Sequence, residues 1–167
     1  VDRLQKTGME SLVIDDIVLD DTQARVTLTG VPNEPGIAAA VFDRVASNGI
    51  FVDMIVQSYA DDRNADISFT VPAEQFDRSL DVATKIQQEF ECDGLNYKSQ
   101  IAKLTVSGIG LRSHTGVAVE MFKALNEANI NVDMINTSEV RVNVVVDGVQ
   151  GQAGLKCLRE QFASAMR

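Results

Sequence analysis

Apolar and polar positions alternate in two places: Val26 and Leu28 against Thr27 and Thr29, and Leu104 and Val106 against Thr105 and Ser107. A period of two predicts a strand at each. Turns follow, Pro32-Asn33-Glu34-Pro35-Gly36 in one case and Gly110-Leu111-Arg112-Ser113-His114-Thr115-Gly116 in the other. Beyond the turns, Ile37, Val41, Phe42 and Val45 recur at helical spacing, as do Val117, Met121, Phe122 and Leu125. Each set predicts an amphipathic helix with that face against a core. Asn48-Gly49 and Asn129 supply the stops. Second strands are predicted over Val52 to Val56 and Val132 to Ile135. Third strands follow, marked by Ile67, Phe69 and Val71, and by Val140, Val142, Val144 and Val146. Second helices carry Phe76, Leu80, Ala83, Ile86 and Phe90, and Leu155, Leu158, Phe162 and Met166. A last strand is predicted near Leu95 to Ser99.

The two series are copies of one module. Laid over itself with Gly36 on Gly116, the chain also matches Ala38 to Ala118, Phe42 to Phe122 and Ile50 to Ile130. Val52-Asp53-Met54-Ile55 falls on Val132-Asp133-Met134-Ile135, and Ser58 on Ser138. Agreement in so many ordered positions marks an internal repeat. The element order βαββαβ is the ferredoxin-like unit, an α+β fold with two helices on one face of a four-stranded antiparallel sheet. The second copy runs out after its second helix, so its fourth strand is missing. Meanwhile Leu12-Val13-Ile14 and Ile17-Val18-Leu19 form a strand-like segment that belongs to neither copy. Two placements are open for it: completion of copy two, which makes copy one an insertion, or an edge strand on copy one. The vacancy in copy two favours completion.

Composition narrows the function. Fifteen Lys and Arg stand against twenty-four Asp and Glu, for a formal charge of -9. With no basic cluster to displace counterions, nucleic acid is not expected as a partner. No apolar run approaches the ~20 residues of a membrane span, so no membrane partner is expected either. The N-terminus Val1-Asp2-Arg3-Leu4-Gln5-Lys6 has no apolar signal core behind it. Cys92 and Cys157 share no metal-ligand spacing and read as reduced thiols of a cytoplasmic protein, a stray disulfide being the other reading. Neither a metal nor a cofactor is expected. His114, the one histidine, reads as a turn or cap residue because no nucleophile or acid accompanies it. Gly108-Ile109-Gly110 lacks the third glycine of a dinucleotide loop. Asp53 and Asp133 close no acid–base pair, and Asp61-Asp62-Arg63 reads as a hairpin turn.

Several ordered blocks carry a family resemblance. Gly30-Val31-Pro32-Asn33-Glu34-Pro35-Gly36, then Ile37-Ala38-Ala39-Ala40-Val41-Phe42 and Val52-Asp53-Met54-Ile55-Val56-Gln57, resemble the first ACT domain of aspartokinases. Ser113-His114-Thr115-Gly116-Val117, Met121-Phe122-Lys123-Ala124-Leu125 and Asn131 to Glu139 resemble the second. The resemblance runs from about Ser11 to Phe162. It implies residues 1–10 as a linker or kinase-domain remnant, 11–20 as a strand swapped into the second ACT domain, 21–100 as ACT domain 1 and 101–167 as ACT domain 2. No kinase-type phosphate loop and no GxxxxGK run occurs. The chain thus looks like a regulatory β subunit, or C-terminal regulatory region, of an enzyme that phosphorylates aspartate. No catalysis by this chain alone is expected. The resemblance also implies a homodimer, an aspartokinase catalytic subunit or domain as partner, and feedback inhibition by threonine or lysine. A free-standing tandem ACT protein serving another amino-acid-pathway enzyme is the alternative.

Effector chemistry singles out a small set of residues. A free amino acid presents a carboxylate and an ammonium on one carbon. The first-turn N–H groups of Gly36, Ile37 and Ala38 are expected as a carboxylate seat, and the side-chain oxygens of Asn33 and Gln57 as ammonium acceptors. The resemblance adds a partner ACT domain closing the site with Asn131 and the backbone of Val132. The family usually carries Asp where this chain has Asn33, and copy one has Phe51 where copy two has Asn131. One productive site per pseudo-symmetric pair is expected.

Overall fold

A computed structural model describes residues 13–111 and 115–166. Among these residues the strands and α-helices are β1 (Val13–Pro32), α1 (Ile37–Ser47), β2 (Ile55–Tyr59), β3 (Asn64–Pro72), α2 (Phe76–Glu89), β4 (Gly94–Ile109), α3 (Thr115–Glu127), β5 (Met134–Thr137), β6 (Arg141–Asp147) and α4 (Gly151–Gln161). The chain divides into two compact units. One is Thr22–Ile101; the other combines the described residues up to Asp21 with those from Ala102 onward.

Two long strands replace four expected short ones. β1 extends unbroken over 20 residues and β4 over 16. The polar stretches Asp20-Asp21-Thr22-Gln23 and Lys98-Ser99-Gln100 suggest loops, yet neither contains the Gly or Pro that would force a turn. The backbone stays extended, and Gln23, itself buried, pairs with Pro72 of β3.

In the unit Thr22–Ile101 the strand order is β2-β3-β1-β4. β1 and β2 flank β3, both antiparallel to it. Val26, Leu28, Ile67, Phe69 and Val71 point to one face and bury against Val41 and Val45 of α1 and Val82, Ala83 and Ile86 of α2. Phe42 closes over this core, its ring edge-on to Phe69 with centroids 5.7 Å apart.

In the other unit the order is β1-β4-β6-β5, with the first stretch of β1 in the fourth-strand place. Ile14 and Ile17 bury with Leu104, Val106, Val144 and Leu158. The strand that belonged to neither repeat therefore completes copy two. On its far side Ile14 forms a parallel bridge to Met166, which lies beyond α4 rather than within it. The helix ends at Gln161 because Phe162 turns inward onto the core.

Other expectations shift. The second strands begin later, at Ile55 and Met134, because Asp53 and Asp133 make single backbone bonds to Thr70 and Val145 before regular pairing starts. Val140 precedes β6 and is exposed. Phe122 is also exposed rather than part of the core face. Its twin Phe42 rests on Phe69, whereas the matching position of copy two is the smaller Val144, which offers no ring to pack against. His114, with Arg112 and Ser113, lies outside the described residues.

Candidate functional site

The residues expected to seat a carboxylate lie where β1 hands over to α1. Asn33 donates its backbone N–H to Arg63 O at 2.8 Å, fixing the exit of the strand. Gly36 then adopts φ 92°, ψ -15° as the residue before the helix. That left-handed geometry explains the glycine. Crowding does not, since a Cβ there would meet nothing within 4 Å. The Ile37 N–H is already taken by Glu34 O at 3.2 Å, so Ile37 is not the open donor expected from its position. The tight Glu34–Ile37 turn consumes it. Gly36 and Ala38 retain main-chain N–H groups with no acceptor among the described residues, and Asn33 and Gly36 are exposed.

Gln57 belongs to the same unit. It pairs with Ile67, which in turn pairs with Leu28. Directly opposed strand residues share a face, so Gln57 projects on the helix-covered face where Ile67 and Leu28 meet the core. At the sheet edge it is exposed. Asn33, Gly36, Ala38 and Gln57 thus all belong to the inserted unit.

Asn131 and Val132 belong to the other unit. Asn131 is exposed just before β5, while Val132 packs partly against the core. In the inserted unit the matching place holds Phe51, 65% exposed. The backbone relation is the same in both copies: Asp53 N–H to Thr70 O at 3.0 Å and Asp133 N–H to Val145 O at 2.8 Å. The Asp53 carboxylate accepts from the Gln23 amide at 2.9 Å.

Two features escaped the sequence reading. The first is a bulge at Thr29-Gly30, where the β1–β3 register shifts between Leu28 and Val31. Gly30, at φ 62°, donates its N–H to Asp66 Oδ1. A glycine inside an alternating strand was the available signal. The second is a pair of glutamines, Gln75 and Gln150, each at the end of a 3-10 turn before the second helix of its unit. Nothing in their immediate sequence marks them.

Electrostatics near the site are those of a hairpin. The Asp61 carboxylate accepts the Arg63 and Asn64 N–H groups at 2.8 and 2.9 Å. These bonds, together with the Asn64 side-chain amide at 3.3 Å, hold its pKa below the ordinary carboxylate range, the Arg63 bond contributing most and the Asn64 side chain next. A hydrogen bond to Asp62 pushes the Tyr59 hydroxyl up. Burial raises both thiols, Cys92 and Cys157. Among the described residues no group of three or more His, Cys, Asp or Glu is placed to hold a metal ion. No helix among them is long and apolar enough to cross a membrane.

A family model described as the ACT domain matches residues 26–87 and 104–162. The chain is 36% identical over 161 residues to an aspartokinase of Corynebacterium efficiens, covering 95% of this chain and 38% of that protein. It is 40% identical over 154 residues to an aspartokinase of Helicobacter pylori, covering 92% and 38%. It therefore spans well under half the length of these relatives. Among solved structures, the regulatory subunit of aspartate kinase from Thermus flavus superposes with a TM-score of 0.83 at 33% identity. That match covers 90% of this chain and 99% of that one. A structure of aspartokinase alpha and beta subunits gives 0.82 at 34% identity, with the same coverage. Two tandem ACT domains define the class. Within it, the chain belongs to the aspartokinase regulatory ACT-domain family.

Proposed function

We propose that the chain is an amino-acid sensor that binds threonine, or lysine in its place, and feedback-inhibits an aspartate kinase supplied as a subunit or a fused domain. The carrying observation is the exposed left-handed turn at Gly36, with open N–H groups at Gly36 and Ala38, in the same unit as Gln57 on its helix-covered face. The effector carboxylate meets those N–H groups, and its ammonium faces Asn33 and Gln57. Asn131 and the Val132 backbone reach in from an ACT domain of a second subunit.

A homodimer supplies that second subunit. The edge strands β2 and β5 leave Ile55, Tyr59 and Ile135 exposed. Open strand edges with apolar side chains favour pairing with another chain. Binding across such an interface favours the closed dimer and biases an attached kinase toward its inhibited state. The chain itself forms no aspartyl phosphate.

Calorimetry against threonine, lysine, methionine and isoleucine tests this reading. Threonine or lysine should bind, and Gln57→Ala or Asn131→Ala should each cost about 1–3 kcal/mol by stranding a polar ligand group. Light scattering at tens of micromolar should report a dimer. Silence toward all four ligands, or a monomer with and without threonine, would remove the basis for the proposal.

A further inference from the structure

Asn131 is useful to an effector only if its backbone is held, and the structure contains a device that holds it. α3 ends at Glu127, and the turn that follows contains Asn129, whose φ of 58° is left-handed without glycine's freedom. Such a residue costs free energy unless its surroundings fix it. Its N–H donates to Asn126 O and the next N–H, of Ile130, donates to Leu125 O, both at 2.9 Å. The Ile130 side chain is buried in the core of the unit. The remaining anchor is Gln150, whose Nε2 donates to Asn129 O at 3.3 Å. Asn131 follows two residues on, exposed at the entrance to β5.

The inserted unit repeats the device with other contents. Gly49, at φ 71°, stands where Asn129 does, and Gln75 Nε2 donates to Gly49 O at 3.1 Å. Gln75 Oε1 also accepts the Phe51 N–H at 2.9 Å. The same side chain thus braces the same loop in both copies, but the position two residues past the left-handed residue is Asn131 in copy two, able to hydrogen-bond a ligand, and Phe51 in copy one.

We infer that Gln150 is a positioning residue for effector binding, setting the Asn129–Asn131 backbone from which Asn131 reaches the ligand. The inference rests on the role proposed for Asn131. Gln75 performs the identical mechanical task without a ligand, which makes it an internal control.

The test uses the full chain and calorimetry with threonine and with lysine. Gln150→Ala should weaken binding roughly five- to tenfold, the scale of one lost hydrogen bond. Gln150→Glu keeps the shape but loses the donor, and should behave like the Ala variant. Gln75→Ala removes two bonds and should leave affinity at the wild-type value. In an Asn131→Ala background, Gln150→Ala should cause no further loss, the non-additivity expected of two residues acting as one unit. Amide hydrogen exchange at residues 130–131 should accelerate in Gln150→Ala without ligand. Wild-type affinity in Gln150→Ala beside a weakened Asn131→Ala overturns the inference alone, as does equal weakening by Gln75→Ala and Gln150→Ala. Unchanged exchange overturns the brace itself. Failure of the wild type to bind either amino acid, or full affinity in Asn131→Ala, overturns the underlying reading and the inference with it.

Discussion

Asp66 Oδ1 accepts the Gly30 N–H at 3.1 Å, across the bulge that precedes the Asn33–Gly36 turn. The bond holds the point where β1 leaves its register with β3. Asp93 covers the other side of Gly30, its own N–H donating to Thr29 O at 2.9 Å.

Gly30→Ala should therefore destabilise the inserted unit. A Cβ at Gly30 would lie 2.6 Å from Asp93 Cβ and closer still to its carboxylate, on a backbone at φ +62°. Overpacking and left-handed strain together predict a loss of about 1–3 kcal/mol. Urea unfolding measures it. Asp66→Asn keeps an acceptor and should be milder than Asp66→Ala, which leaves the Gly30 N–H without its partner.

Glycines of the other unit should respond with opposite signs. A Cβ on Gly154 of α4 would sit 2.6 Å from Leu104 Cδ1 in the core. Gly154→Ala should cost about 1–3 kcal/mol through overpacking. Gly116, in the first turn of α3, would place its Cβ in open space. There Ala should stabilise by about 0.5–1 kcal/mol through helix propensity and a less flexible unfolded chain. Paired denaturation curves decide it, and equal effects would contradict the packing described.

Acid should weaken the β2–β3 hairpin through Asp61. The Arg63 N–H, then the Asn64 side-chain amide and N–H, hold this carboxylate below its ordinary pKa. The folded value lies below the unfolded one, so the contribution is complete above about pH 4 and is lost as pH falls through the folded value. Glu89 behaves alike, its pKa lowered by hydrogen bonding to Arg44. Asp61→Ala should therefore be less stable than wild type near neutrality and lose less of its stability on acidification. Urea midpoints measured from pH 6 to pH 3 should converge for the two proteins.

The hydrophobic pattern made the repeat and its βαββαβ order legible, because Val26, Leu28, Ile67 and Phe69 must bury one face whatever the turns do. The vacancy in copy two likewise pointed to the strand around Ile14 and Ile17. Strand length was not legible. Nothing local says that Gln23 stays extended, since its conformation is set by pairing with β3 and by the Gln23–Asp53 bond. In the candidate site, the glycine turn was readable from residue type and spacing. The loss of the Ile37 N–H to Glu34 was signalled by Pro35-Gly36, the type II turn pair whose first carbonyl accepts the fourth residue's N–H, but helix position alone does not show it. The glutamine braces were hidden because Gln75 and Gln150 bond to backbone more than twenty residues away.

Asn33 offers the sharpest test of ligand orientation. Its backbone N–H is already committed to Arg63 O, so substitution there changes chiefly what the exposed side chain presents to a ligand. An amide oxygen and a carboxylate oxygen occupy nearly the same space. A carboxylate facing an ammonium makes a charge-assisted bond roughly twice as strong as the neutral one. Asn33→Asp should therefore tighten threonine binding by about 1 kcal/mol, with an enthalpy gain and a stronger dependence on salt. Beside the ligand carboxylate the same change would set like charges together and weaken binding instead. Calorimetry on this one variant at low and high salt separates the cases. Weakened binding would reverse the orientation proposed, and an unchanged affinity would move the ligand away from the Asn33–Gly36 turn altogether.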